Sequence, residues 1–478
     1  MSRHASLALA LAAVLAASGC ATLVPATPAA QAGIPAEWPI PATTAEAATA
    51  ATGTNVVAAD VGWRDFFTDP RLEEVVGLAL DNNRDLRVAI LNVERARAQY
   101  RIQRADRVPN FGVYGQMERV GGDIPVSEQY TAGLGLAAFE LDLFGRVRNL
   151  SEGALQQYLA TAESQRSTQL ALVAEVAQAW LTLAADREQL RIAEATLGTR
   201  DESMRLAQAQ FDLGAVSQLV VDQARTQVES TRVEVARLKG QVARDRNALN
   251  LLAGTQLEER LLPEGMVDEI AGITAVPAGL PAEVLLRRPD IIAAEHRLLA
   301  ASANIGAARA AFFPSISLTG SIGSASTELS DLFESGTRIW SFIPQINIPI
   351  FQGGRLKAAL GMANADRDIA LAQYEGAIQS GFREVADALA LSATLAEQLR
   401  ASEALLDAAT SAERLAELRY ERGLDSNLVR LDAQRSLYAA QQQVVALRMA
   451  EQANRVTLYK ALGGGWPDDG LRTADLPR

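Results

Sequence analysis

An internal duplication is the feature that most limits how this chain can fold. The spacing from Asp85 to Pro109 is repeated unchanged from Asp290 to Pro314. Leu143-Phe144-Gly145-Arg146 is answered by Ile350-Phe351-Gln352-Gly353-Gly354-Arg355, and Phe211-Asp212-Leu213-Gly214 by Tyr420-Glu421-Arg422-Gly423. Gly254 follows Gly214 at the same interval as Gly463 follows Gly423, so the landmarks keep a nearly constant offset along the chain. A repeat of this length means that one structural unit was copied, and that each copy must place its apolar faces against the other or against further copies.

Each copy carries two strand candidates and one long helical hairpin. In the second copy Ile316, Leu318 and Ile322 alternate with serines and a threonine, and Trp340, Phe342, Ile346, Ile348 and Ile350 alternate with Ser341, Gln345 and Asn347. In the first copy Phe111, Val113 and Met117 alternate with Asn110, Tyr114 and Gln116. The partner, about Tyr130 to Phe144, changes phase near Ala137-Ala138, as a bulge allows. Period-two alternation gives one greasy and one wet face, suited to a wall between lipid and water or to a soluble sandwich. Proline is absent from about Glu152 to Leu213 and from Leu356 to Arg422. Some 60 helical residues reach roughly 90 Å. On the returning helices, Val221, Ala224, Val228, Thr231, Val235, Leu238, Val242, Leu249 and Leu252 form one seam. Leu428, Leu431, Tyr438, Val445, Met449, Val456 and Tyr459 form another. The latter helix has a second seam at Leu437, Ala440, Val444, Leu447, Leu458 and Ala461, which predicts neighbours on both sides.

The amino end reads as targeting sequence. Arg3 and His4 precede a short apolar stretch, Leu7 to Ala17, which cannot span a bilayer but suits a signal peptide. Ala17-Ser18-Gly19-Cys20 is similar to a bacterial lipobox, with Ala17 where leucine is usual, and Ala21 after the cysteine points to the outer membrane. Residues 21–60, rich in Ala, Thr and Pro, read as an extended tether that cannot bury a core. Beyond the leader no uninterrupted apolar run is long enough for a transmembrane helix, so any crossing of a membrane must use a closed barrel.

Composition narrows the function classes. The net charge is −12, without a basic stripe, which argues against nucleic acid as a partner. Two histidines and one cysteine leave little for metal or thiol chemistry; His296 reads as a packed or surface side chain. No nucleophile elbow or phosphate loop occurs, and the acid pairs Glu73-Glu74 and Glu258-Glu259 read as surface charge. The expectation is no enzyme and no cofactor. Four strands cannot close a barrel, since the smallest membrane barrels use eight; two copies of the chain bring eight and three bring twelve.

The phrases Leu285-Leu286-Arg287-Arg288-Pro289-Asp290-Ile291, Phe312-Phe313-Pro314-Ser315-Ile316 and Phe351-Gln352-Gly353-Gly354-Arg355 closely resemble the TolC-like outer-membrane efflux factors. The subfamily resembled is the lipoprotein one that serves resistance-nodulation-division pumps. The resemblance covers about residues 60–466. It implies an α+β membrane protein whose duplicated unit supplies four transmembrane β-strands and long α-helical hairpins. It also implies a homotrimer with a 12-stranded β-barrel in outer-membrane lipid and a 12-helix periplasmic α-barrel. The implied partners are a periplasmic adaptor (membrane-fusion) protein and an inner-membrane resistance-nodulation-division pump. The expected function is a passive exit duct for small toxic compounds. A type I protein-secretion duct and a periplasmic scaffold lipoprotein are the alternatives.

The expected organisation is a signal peptide at 1–19, a lipidated tether at 20–60 with Cys20 as the lipid site, and a first repeat at 61–255. That repeat has strands about 109–144 and a hairpin about 152–252. A connector at 256–284 leads to a second repeat at 285–466, with strands about 314–351 and a hairpin about 356–462, and a tail at 467–478. By the resemblance, Gly214 and Ser217, and Gly423 and Ser426, mark the periplasmic tip turns and adaptor docking surface; by their chemistry and position the two serines are expected to cap the returning helices. Asp432 matches an aperture-lining aspartate and Tyr420 a tyrosine of gate contacts. Asp425 stands where some members carry a gate arginine, and Val429 where they carry a second aspartate.

Overall fold

The computed structural model of the chain describes residues 23–35, 38, 61–266 and 282–464. The first copy runs α1 (Trp63–Phe66), α2 (Pro70–Asn82), α3 (Arg84–Ala105), β1 (Phe111–Val120), β2 (Ser127–Leu141), α4 (Arg146–Asp212) and α5 (Gln218–Ala253). The second runs α6 (Pro289–Ala310), β3 (Ser315–Ser326), β4 (Arg338–Asn347), α7 (Arg355–Glu421) and α8 (Asn427–Ala461). Counterpart helices agree almost residue for residue: α3 and α6 have 22 each, α4 and α7 have 67 each, α5 and α8 have 36 and 35. Ala, Leu, Glu, Gln and Arg dominate the long pair, which keeps propensity high along their whole length. At α2 the start is fixed by Asp69, whose carboxylate accepts from the Arg71 amide at 2.8 Å ahead of Pro70 at the first helical position.

Contacts divide the chain into two compact units, and each draws on both copies. The first comprises residues up to Ala32, Ile90–Ser164 and Asp290–Ala377. Its centre is one antiparallel sheet in the order β1-β2-β3-β4, so that β2 and β3 join the two copies. Phe144 and Phe313, one from each copy, stack at 4.6 Å. Of the tether expected at residues 20–60, only 23–35 and 38 are described. There the Leu23 carbonyl accepts from Arg309 Nη1 at 3.0 Å and the Gln31 amide donates to Glu375 Oε1 at 2.7 Å, so residues 23–35 are held by the fold. His296 Nδ1 lies 2.7 Å from Gln156 Oε1, an ordinary packed polar contact.

The second unit comprises Gly33–Ala89, Gln165–Pro289 and the chain from Ile378 onward. Trp38 is here 5% exposed; it stacks on Phe382 at 5.5 Å and donates its indole N–H to the Phe382 carbonyl at 3.1 Å. A stretch rich in Ala, Thr and Pro thus holds one aromatic anchor, which composition alone hides. The α4–α5 hairpin closes on Val221, Ala224, Val228, Thr231, Val235, Leu238 and Leu249, all buried as their spacing predicts. Helix α8 is buried on two sides, at Leu431, Val445, Val456 and Tyr459 and at Ala440, Val444 and Ala461. Leu437, Tyr438, Leu447, Met449 and Leu458 are half-buried, and Leu428 is 62% exposed. Part of α4 is long and apolar enough to cross a membrane by composition, but over half of that stretch is buried inside the fold. Three of the four acids in the two acid pairs are ion-paired: Glu74 and Glu258 to Arg260, Glu259 to Arg187 and Arg246.

The duplication extends to single hydrogen bonds. Asn83, two residues before Asp85, donates to the Leu252 carbonyl near the end of α5 at 2.9 Å. Arg288, two residues before Asp290, donates to the Ala461 carbonyl at the end of α8 at 2.7 Å and pairs with Glu384 at 2.9 Å. Both side chains satisfy carbonyls that a helix end leaves without partners. Replacing Arg288 with Ala leaves the buried Ala461 carbonyl without this partner and removes a half-exposed ion pair with Glu384, and is expected to cost about 1–3 kcal/mol. A thermal-unfolding midpoint unchanged in Arg288→Ala would remove the residue from this role.

Candidate functional site

The sheet register sorts the side chains of all four strands. Phe111 pairs with Leu136, Val113 with Leu134 and Met117 with Tyr130. Leu134 pairs with Ile322, Phe139 with Leu318 and Leu141 with Ile316. Ile322 pairs with Trp340, Gly320 with Phe342 and Ile316 with Ile346. Directly paired residues share a face, so these side chains form one continuous apolar surface. The opposite face carries Gln116, Glu118, Gln129, Thr131, Ser317, Thr319, Ser321, Ser341 and Gln345, with Tyr114, Val120, Ile339 and Ile343 as its large apolar members. The Ser321 and Ser341 hydroxyls meet across it at 2.7 Å.

A bulge keeps the two faces separate. The β2–β3 register shifts between Leu136 and Phe139, where Ala138 has φ 40°. One extra residue there returns Phe139 and Leu141 to the apolar face; without it both would turn to the polar one. Towards the turns the apolar surface ends in Tyr130 and Trp340, then in the Arg119–Glu128 ion pair at 3.0 Å and Arg338. Apolar side chains that a soluble protein would bury stay exposed: Phe111 71%, Val113 83%, Trp340 76%. The outer strands β1 and β4 pair on one side only, leaving two open edges among the described residues. An apolar face needs lipid, and an open edge in lipid needs another strand.

The family model described as "Outer membrane efflux protein" matches residues 75–255 and 280–464. The chain belongs to that family. It is 48% identical over 458 residues to the antibiotic efflux pump outer membrane protein ArpC of Pseudomonas putida, covering 94% of this chain and 93% of that one. To the outer membrane protein OprJ of Pseudomonas aeruginosa it is 46% identical over 414 residues, 85% of this chain and 86% of the relative. Among solved structures it resembles the open state of the Neisseria gonorrhoeae MtrE outer membrane channel. The TM-score is 0.85 at 38% identity, over 93% of this chain and 98% of that one. Like its relatives this efflux protein is an outer-membrane channel, with the sheet as its membrane portion.

The two glycine turns of this family member have identical closures in the second unit. Gly214 has φ 72° and Gly423 φ 70°, conformations that side-chain-bearing residues avoid. Ala215 N donates to Gln210 O and Gly214 N to Phe211 O, both at 2.8 Å; Leu424 N to Arg419 O and Gly423 N to Tyr420 O repeat the pattern at 2.9 Å. Ser217 and Ser426 occupy the N-cap positions of α5 and α8 in extended geometry, yet neither hydroxyl makes a capping bond. That part of the expectation is corrected: only their carbonyls act, accepting from Val220 and Val429. Leu213, Leu219, Leu424 and Leu428 stand exposed around the turns.

Asp425, Tyr420 and Asp432 each have a partner within the chain. Asp425 pairs with Arg419 through both oxygens, at 2.6 and 3.0 Å, and that hydrogen-bonded guanidinium holds its carboxyl below the usual range. Tyr420 lies under the Arg430 guanidinium at 4.3 Å, and Arg430, itself buried, pairs with Glu417 at 3.2 Å. Asp432 is well exposed and pairs with Arg435 one turn on, at 2.9 Å. Sequence reading missed Arg419, Arg430 and Arg435. The i, i+3 spacing from Asp432 signals Arg435; nothing local signals a cation buried against Tyr420. Cys20 lies outside the described residues.

Proposed function

We propose that three copies of this chain close a 12-stranded barrel, continue it as a 12-helix periplasmic tunnel, and serve as the exit duct of a tripartite efflux machine. An adaptor protein and a proton-driven pump of the resistance-nodulation-division class would deliver cargo, and the duct itself would need no catalytic residue. The observation that carries this reading is the four-stranded sheet with one apolar face and two open edges. Eight strands would leave a lumen filled by side chains, whereas twelve enclose a wider one. Relatives are named for toluene and for antibiotics, which fits small toxic compounds as cargo here. Purified protein in a planar bilayer should conduct ions and run as a trimer, near three times the 51.0 kDa of the single chain. A water-soluble monomer without conductance would sink the reading.

The glycine turns are proposed as the periplasmic tip, with Gly214, Ser217, Gly423 and Ser426 on the adaptor-docking surface, and Tyr420 and Asp425 near the aperture. Three Asp432 carboxylates at the aperture would favour cations. Asp432→Ala is expected to lower the cation-to-anion permeability ratio about twofold or more, read from reversal potentials in a salt gradient. An unchanged ratio would take Asp432 out of the aperture. Cys20 is proposed as a lipidated residue. Leu23, three residues on, is bonded to Arg309 near the end of α6, six residues before β3 begins. Labelled palmitate should enter the wild-type chain and not Cys20→Ala; equal labelling of both would overturn the assignment.

A further inference from the structure

In the second unit a cavity of about 210 Å³ opens between α4, α7 and α8. Arg200 lines it from α4, Glu413 from α7, and Gln434 and Tyr438 from α8. Arg200 is only 8% exposed, and its acceptors are neutral: Thr231 Oγ1 and, at 3.4 Å, the Gln227 carbonyl. The Tyr438 ring lies 5.8 Å from the guanidinium, and among the described residues no carboxylate pairs with it. Burial disfavours this charge most, Tyr438 offsets part of that, and the nearby Arg435 adds to it. Around the same cavity the amide nitrogen and oxygen of Gln434 and the hydroxyl of Tyr438 are buried without a well-formed hydrogen bond.

Buried polar groups in native proteins are satisfied, and a buried cation left without a counter-charge is costly. Water could fill the hydrogen bonds, at about 30 Å³ each, but would supply no negative charge. A planar guanidinium is suited to carboxylate or phosphate oxygens, with an amide N–H and a phenol to take the others. The other cation on the cavity wall, Arg191, is already neutralised by Glu188. Glu413 also lines the cavity; burial and the nearby Glu417 raise its pKa, while Arg430 and the Gln434 amide act against that shift. We propose that this cavity is an oxyanion site. Arg200, Gln434 and Tyr438 together take one carboxylate- or phosphate-type group, clipping α4 of the first copy to α8 of the second. The inference is independent of what the duct carries.

The test is calorimetric titration of the purified full-length protein with sodium phosphate, then sodium acetate, against sodium chloride at matched ionic strength. One saturable phosphate or acetate per chain is expected, lost in Arg200→Gln. Gln434→Leu and Tyr438→Phe leave the Arg200 hydrogen bonds in place and should each weaken binding about tenfold. If the group is instead a carboxylate side chain of a second copy, the assembled protein takes up neither anion. Arg200→Gln then lowers the temperature at which the oligomer dissociates while helicity is unchanged. Absence of both effects means the cavity holds water alone and overturns the proposal. So does wild-type affinity in all three variants.

Discussion

An arginine at Leu134 or Ile322 is expected to remove the protein from the outer membrane. These two residues pair directly across the seam between β2 and β3, in the middle of the apolar face, and both are exposed in the single chain. A cation at the midplane of a lipid-facing barrel costs about 2–4 kcal/mol, and the penalty recurs in every copy that joins the barrel. Thr131→Lys and Ser321→Lys, on the polar face, face water and should be tolerated. Membrane fractionation and the heat-modifiable mobility of the oligomer read the outcome. If Leu134→Arg and Thr131→Lys behaved alike, the two faces would not be lipid and lumen.

A second large effect is expected where the two copies meet. Gly133 and Gly323 are directly paired. A Cβ on Gly133 would lie 2.5 Å from the Ile322 carbonyl oxygen and 2.8 Å from the Gly323 Cα, and one on Gly323 would strike the Ala132 carbonyl. The obstacles are backbone atoms, which cannot turn aside as a side chain can, so Gly133→Val or Gly323→Val forces β2 and β3 apart. Splitting that ladder leaves two hairpins, each too small to be stable alone, and the sheet is expected to be lost. Gly135 is the contrast: a Cβ there would meet only the Tyr114 ring at 3.4 Å and the Gly320 oxygen at 3.7 Å. Gly135→Ala should cost less than about 1 kcal/mol. Infrared amide bands of the purified variants would separate the two cases, and native strand content in Gly323→Val would overturn the argument.

Much of this architecture is readable in the chain because it depends on local periodicity. Alternation in Ile316–Ile322 and Trp340–Ile346 marks the strands, although β4 ends at Asn347 and leaves Ile348 and Ile350 outside the ladder. The phase change at Ala137-Ala138 marks the bulge that Ala138 adopts. Long proline-free segments mark α4 and α7, and the heptad seams mark most of the residues that α5 and α8 bury. Such patterns need no knowledge of a partner, because a pleat or a helical turn presents the same face at a set interval.

Other features depend on residues far apart in the chain. Trp38 is an isolated aromatic in a Pro-rich stretch until Phe382, from the far end of the chain, supplies a ring and a carbonyl. Ser217 and Ser426 have the right chemistry and position for caps, yet their hydroxyls make no capping bond. Asn83 and Arg288 differ in type but do the same work, since each is placed by the fold against the end of its own copy's returning helix. Sequence by itself determined the duplicated unit, its two-faced strands and its hairpins, because periodicity is a local property of the chain. Only the tertiary structure decided that β2 meets β3 at a pair of glycines, and that β1 and β4 are left open, because pairing is settled by which distant backbones can approach one another.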